Sequence, residues 1–133
     1  MAETIPDAAL VVVADGGKAI LFRAKGAGGG LSLHEERRLS LKNLADEGPS
    51  GSRPEEQTER QTDEATFAKQ LAHLLYAMHH RGDYSSLVLV ADPQTLGQLR
   101  GCMHKTVEAS IVRTMAKDLT NLPAAEITTA LGR

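Results

Sequence analysis

The run LVLVA at 87–91 has no polar residue and no alternation, and an Asp-Pro step follows it. A strand that is apolar on both sides needs cover on both faces, which marks a central parallel strand of an α/β layer. Asp92 is a preferred N-cap and Pro93 suits a first helical turn, so a helix to about Gly101 is expected next. In open α/β sheets the ligand crevice lies beyond the carboxyl ends of the parallel strands, so Asp92 stands where chemistry would be sought.

The remaining patterns supply neighbours for that strand. ALVVVADGGKAILFRAKG reads as a hairpin with strands near 10–14 and 18–23, and the Asp15-Gly16 step is expected to give its tight turn a positive φ. Leu31, Leu33 and, after a change of phase, Leu39 and Leu41 suggest a third, more exposed strand that alternates poorly. DEGPSGSRPEEQTERQ has no large apolar residue, so residues 42–62 are expected to form a mobile polar loop within a single domain spanning 1–133. Thr62 and Asp63 offer an N-cap for a helix from about Glu64 to Arg81, which Gly82 would end. Phe67, Leu71, Leu74, Leu75 and Met78 form its apolar face.

In VEASIVRTMA, Val107, Ala109, Ile111 and Met115 share one parity and read as a fifth strand; Val107, Ile111 and Met115 fit helical spacing nearly as well. DLTNLPAAEITTAL closes the chain as a short helix with Pro123 in its first turn. The order β-β-β-α-β-α-β-α implies an α/β domain on a mixed five-stranded sheet with antiparallel hairpin strands. A ribonuclease H-like strand order satisfies it.

The chain has 133 residues, enough for one domain to bury a core without staples. Its single cysteine, Cys102, cannot form an internal bridge, and MAETIPDAAL lacks the basic start and apolar stretch of a signal peptide. No apolar run approaches the ~20 residues needed to cross a bilayer. A cytoplasmic protein without membrane insertion is expected. Fifteen Lys and Arg against seventeen Asp and Glu leave a net charge of −2, so any nucleic-acid surface would be a local patch.

Three carboxylates are the catalytic candidates: Asp15, Asp92 and Asp118. If the strands ending at Ala14 and Ala91 are parallel neighbours, Asp15 and Asp92 could hold Mg²⁺ and orient water against a phosphodiester, with Asp118 or Glu64 as a third ligand. Each also has an ordinary reading, Asp15 as a turn residue and Asp92 as an N-cap. Nucleases of this fold place an acid within the first strand, where this chain has Val11 to Val13.

His73, His79, His80 and His104 have no diagnostic metal-ligand spacing, so no metal is expected. Gly26 to Gly30 lack the context of a dinucleotide fingerprint, and Cys102 has no evident catalytic partner in sequence. Arg37, Arg38, Lys105, Arg113 and Lys117 are the binding candidates, and would join into one basic strip if the third and fifth strands expose the same edge or face. Glu35, Glu36, Glu108 and Asp118 are interleaved with them, the pattern of a solvated charged surface. With two Tyr, two Phe and no Trp, base-stacking platforms are scarce, and RNA recognition would rely on phosphate and shape.

VVVADGGKAILFRAKG, the polar loop, QTDEATFAKQLAHLLYA, SSLVLVADPQTLGQLR and KDLTNLPAAEI together resemble the bacterial host attachment protein family, described as required for attachment to host cells. The similarity covers nearly the whole chain. That family in turn resembles the middle domain of archaeal and eukaryotic peptide-chain release factors, which implies a release-factor middle-domain-like fold. In those factors the loop after the third strand carries a Gly-Gly-Gln tripeptide that helps water cleave the peptidyl ester. Here Gly48, Gly51 and Gln57 are present but never adjacent, so the hydrolytic residues do not carry over.

The resemblance implies a non-catalytic binding or regulatory module without cofactor, acting indirectly on attachment. Its partner would be ribosome-associated RNA or a protein. A Mg²⁺-dependent nuclease and a purely protein-binding module are the alternatives.

Overall fold

The computed structural model describes residues 8–25, 32–40 and 59–131, the side chains of 59–65 excepted. The expected mobile loop therefore lies outside the described residues as far as position 58. Strands β1 (Leu10–Ala14), β2 (Lys18–Lys25), β3 (Ser32–Ser40), β4 (Leu87–Ala91) and β5 (Ile111–Ala116) form one sheet in the order β3-β2-β1-β4-β5. β1 pairs antiparallel with β2 and β2 with β3, whereas β4 runs parallel to both β1 and β5. The expected mixed sheet of the release-factor middle-domain type is present. The two runs without alternation, β1 and β4, lie side by side at its centre and are buried throughout.

Helices α1 (Glu59–His80), α2 (Pro93–Cys102) and α3 (Lys105–Ser110) lie on one face. There Phe67, Leu71, Leu75, Leu99 and Val107 share a core with Leu10, Val12, Leu21, Leu87 and Leu89. On the other face, Ile127 and Leu131 of α4 (Ala124–Leu131), with Leu119, cover Val11, Val13, Phe22, Val88 and Val90. Among the described residues no helix is long and apolar enough to cross a membrane.

α1 starts at Glu59, ahead of the expected Glu64, so Thr62 and Asp63 lie inside it rather than at its cap. Glu, Arg and Gln are good helix formers, and extending an existing helix costs little compared with nucleating one. Its end is as expected. Gly82 takes φ +78°, its N–H donates to His79 O at 3.0 Å, and Asp83 N–H donates to Met78 O at 2.9 Å, the paired bonds of a Schellman motif.

The hairpin turn closes differently from expectation. Among the described residues only Ala8 and Gly82 have positive φ, so Gly16 does not. Instead Asp15 Oδ1 accepts from the backbone N–H of Gly17 and of Lys18, both at 2.8 Å. An Asx turn supplies by side chain what the left-handed glycine would have supplied by backbone.

Both outer strands carry a bulge that defeats simple parity. Leu21 pairs with Arg37 and Phe22 with Glu35, leaving Glu36 as the extra residue. Leu39 then faces the α1 layer while Leu33, on the same parity, packs with the α4 layer. In β5, Leu87 pairs with Ile111 and Val88 with Arg113, so Val112 is extra. Ile111 accordingly packs toward α1 and Met115 toward α4.

The segment 107–116 is neither all strand nor all helix. Val107 and Ala109 belong to α3, and the strand begins only at Ile111. His104 caps α3, its Nδ1 accepting from Thr106 N–H at 3.2 Å, and Ser110 Oγ donates back to Val107 O at 2.6 Å. Among the described residues the element order is thus β-β-β-α-β-α-α-β-α, one short helix more than expected.

Candidate functional site

The parallel register pairs Ala14 with Ala91, so Asp15 and Asp92 leave neighbouring strands at the same end of the sheet. From there the chain turns outward both ways, to β2 on one side and through α2 and α3 to β5 on the other. This is the topological switch point, where open α/β sheets place ligands.

The side chains at this end are largely engaged with one another and with local backbone. Asp15 Oδ1 holds its own turn, while Oδ2 lies 3.2 Å from Thr120 Oγ1. Thr120 Oγ1 is 2.6 Å from Asp118 Oδ1, which also accepts from Thr120 N–H at 3.0 Å. A hydroxyl has one proton to give, and the shorter contact assigns it to Asp118. Lys18 Nζ donates to Asn121 Oδ1 at 3.1 Å. Lys18–Asn121 thus ties the β1–β2 turn to the β5–α4 connection, and it sets the Asp15 carboxylate beside Thr120.

The Thr120 hydroxyl bond, then its backbone N–H, hold the Asp118 carboxyl below its ordinary value against desolvation by burial, with a lesser contribution from the charge of Lys18. A carboxyl whose pKa falls on folding contributes stability above the unfolded value of about 3.9 and loses it as pH drops through the lower folded value. Asp118→Asn is therefore expected to be less stable than the wild type at pH 7 and to converge with it below about pH 4, which flattens the acid limb of its stability-versus-pH curve. An unaltered acid limb in urea melts would show that Thr120 does not hold the charge.

Asp92 does the work of a cap. Its Oδ2 accepts from Thr95 N–H at 3.2 Å, and Pro93 begins α2. Asp92→Ala is expected to cost about 1 kcal/mol and Asp92→Ser a few tenths, measured by chemical denaturation. Among the described residues no group of three or more His, Cys, Asp and Glu side chains is placed to hold a metal ion. The side chain of Glu64 lies outside the described residues.

The basic candidates do not form one strip. β3 and β5 are opposite edges of the sheet, because the hairpin extends from one side of β1 while β4 and β5 build on the other. On the β3 edge, Arg38 is paired with Glu35 at 2.8 and 3.0 Å, and Arg37 lies one residue before it. On the β5 side, Lys105 starts α3 and Lys117 follows β5, while Arg113 Nη1 donates to Leu131 O and ties β5 to the end of α4. Arg100, Glu108, Ile111, Val112, Arg113 and Thr114 line an open groove along β5.

An aromatic cluster that sequence reading missed lies at the C-terminal end of α1. The Tyr76 ring stands 4.5 Å from that of His104 and 6.1 Å from that of His80, at 37° and 29°. His104 is held by its capping bond to Thr106 N–H and by the Thr106 hydroxyl at 2.9 Å. Beneath, His79 meets the edge of Tyr84 at 5.4 Å. The Tyr84 hydroxyl donates to Leu75 O at 2.7 Å, and burial pushes that phenol up to about 12. Tyr76 and His80 at i, i+4 were a readable pair, but the arrival of His104 depends on how α2 and α3 fold back.

Compared with known proteins, the chain matches the model of Bacterial archaeo-eukaryotic release factor family 12 over residues 8–131. No curated protein matches it. The match runs from the lead-in of β1 to the last residue of α4 and takes in the whole sheet and the switch point, so the chain belongs to the bacterial archaeo-eukaryotic release factor family 12.

Proposed function

We propose that this chain is a non-catalytic binding module that docks on RNA, in the setting of translation, and influences attachment to host cells only indirectly. The observation that carries the reading is the use made of the strand-end carboxylates. Asp15 holds a turn, Asp92 caps a helix and Asp118 holds Thr120. A hydrolytic acid needs lone pairs directed at metal or water, and one oxygen of each of these carboxylates is directed at local N–H or O–H groups instead. Family membership supports the translation setting, and the resemblance to host attachment proteins supplies the link to attachment.

The test is incubation of labelled tRNA with the protein in Mg²⁺ at low salt, followed by a mobility shift and a denaturing gel. A shift with intact RNA, unchanged in Asp15→Asn, is expected. Mg²⁺-dependent cleavage that Asp15→Asn abolishes would replace this reading with a nuclease. Absence of any shift at low salt, where phosphate contacts are strongest, would leave a protein-binding module instead.

A further inference from the structure

The outward side of α1 carries Lys69, His73, Tyr76 and His80, spaced so that all four fall within a narrow arc of the helix. Lys69, His73 and His80 are exposed and Tyr76 is half-buried; the exposed His104 and Lys105 reach the same end through the contact of His104 with Tyr76. The stripe runs about 16 Å by helix rise, from Lys69 to His80, and no Asp or Glu stands at its positions. Arg81, next along the chain, is already paired with Asp83 at 2.9 Å.

Aromatic rings beside separated cations, without interleaved carboxylates, fit a ligand that is a chain of anions bearing flat bases. We propose that single-stranded RNA docks along this stripe, with bases stacking on the Tyr76–His104 pair and phosphates lying at Lys69 and Lys105. The inference rests on the RNA-binding reading above and assigns it a surface. Two features prepare the surface. The cap bonds of His104 fix its ring before any ligand arrives, and Tyr76 is supported from below by α1, so little side-chain freedom remains to be lost on binding. Stacking accepts any base, which suits recognition without a sequence code.

The test is fluorescence anisotropy of a labelled, unstructured oligouridylate titrated with the full chain at several salt concentrations. Tyr76→Leu keeps apolar bulk but removes the stacking ring, and His104→Asn keeps an N-cap oxygen but removes the imidazole. About tenfold weaker binding is expected for Tyr76→Leu, and a further severalfold loss on adding His104→Asn. Lys69→Gln with Lys105→Gln should lower the slope of log K against log salt by about 1.4. Lys25→Gln, on β2 and outside the stripe, should leave affinity unchanged, and thermal melts verify that each variant is folded. Wild-type binding that survives Tyr76→Leu and His104→Asn would overturn this surface and leave the RNA reading intact. No binding of the oligouridylate by a wild type that shifts tRNA would likewise overturn only this surface, and no binding of either at low salt would overturn both.

Discussion

Replacing Ile127 with alanine is expected to cost about 3 kcal/mol and to release α4 from the sheet. α4 has eight residues, fewer than an isolated helix needs to persist in water, so its helicity depends on what it buries. Ile127 is fully buried and Leu131 nearly so, against Val11, Val13, Phe22, Val88 and Val90. The opposite face has three helices to share that task. Urea denaturation gives the stability loss, and amide hydrogen exchange gives its location. Exchange should accelerate first between Ala124 and Leu131. Ile127→Val should cost only about 1 kcal/mol, because it removes one methylene and leaves the contact in place. A loss below 1 kcal/mol for the alanine variant, or α4 amides as protected as before, would mean that α4 is held chiefly by other groups, such as the Arg113 bond to Leu131 O.

Arg23→Ala is expected to cost about 2 kcal/mol, and Arg23→Lys to recover less than half of it. The Arg23 guanidinium donates through Nε and Nη2 to the two oxygens of Glu36, each at 3.1 Å. Its Nη1 donates to Ala8 O at 3.2 Å and Asp83 O at 2.8 Å. One side chain therefore joins β2, the bulge of β3, the entry to β1 and the loop between α1 and β4. The Arg23 side chain is only 16 % exposed, so truncation leaves carbonyls and a carboxylate without a charged donor in a sheltered place. Glu36 is 33 % exposed and regains some water, which keeps the cost below that of a fully buried pair. Lysine carries the charge but cannot span four acceptors with one planar fork. Equal melting midpoints for wild type and Arg23→Ala would refute the clamp.

What could be read before the structure divides along physical lines. The non-alternating runs at 10–14 and 87–91 identified the central parallel pair, because burial on two faces leaves an unmistakable pattern. Gly82 and Asp92 were legible since the chemistry of helix ends is local. A change of phase between Leu33 and Leu39 was legible, but parity failed at Ile111 and Met115, because a single extra residue reverses every later side chain and a bulge carries no fixed residue signature. Whether the basic candidates could share one edge was not legible, because strand order across a sheet is a tertiary fact that Arg37 and Arg113 cannot report. Asp15 was seen as a turn residue, but its contact with Thr120 spans 105 positions, and the Lys18–Asn121 bond spans 103. Such contacts exist only once the β5–α4 connection is folded across the sheet end.

The extra residues Glu36 and Val112 have a consequence for how molecules of this protein meet. Each interrupts one of the two strands that border the sheet among the described residues. A regular strand from another molecule laid along either border would fall out of step partway, with its bonds satisfied on one side of the irregularity and mismatched on the other. Among the described residues the sheet is in this sense fenced at both flanks, its border strands irregular where a growing fibre would need them straight.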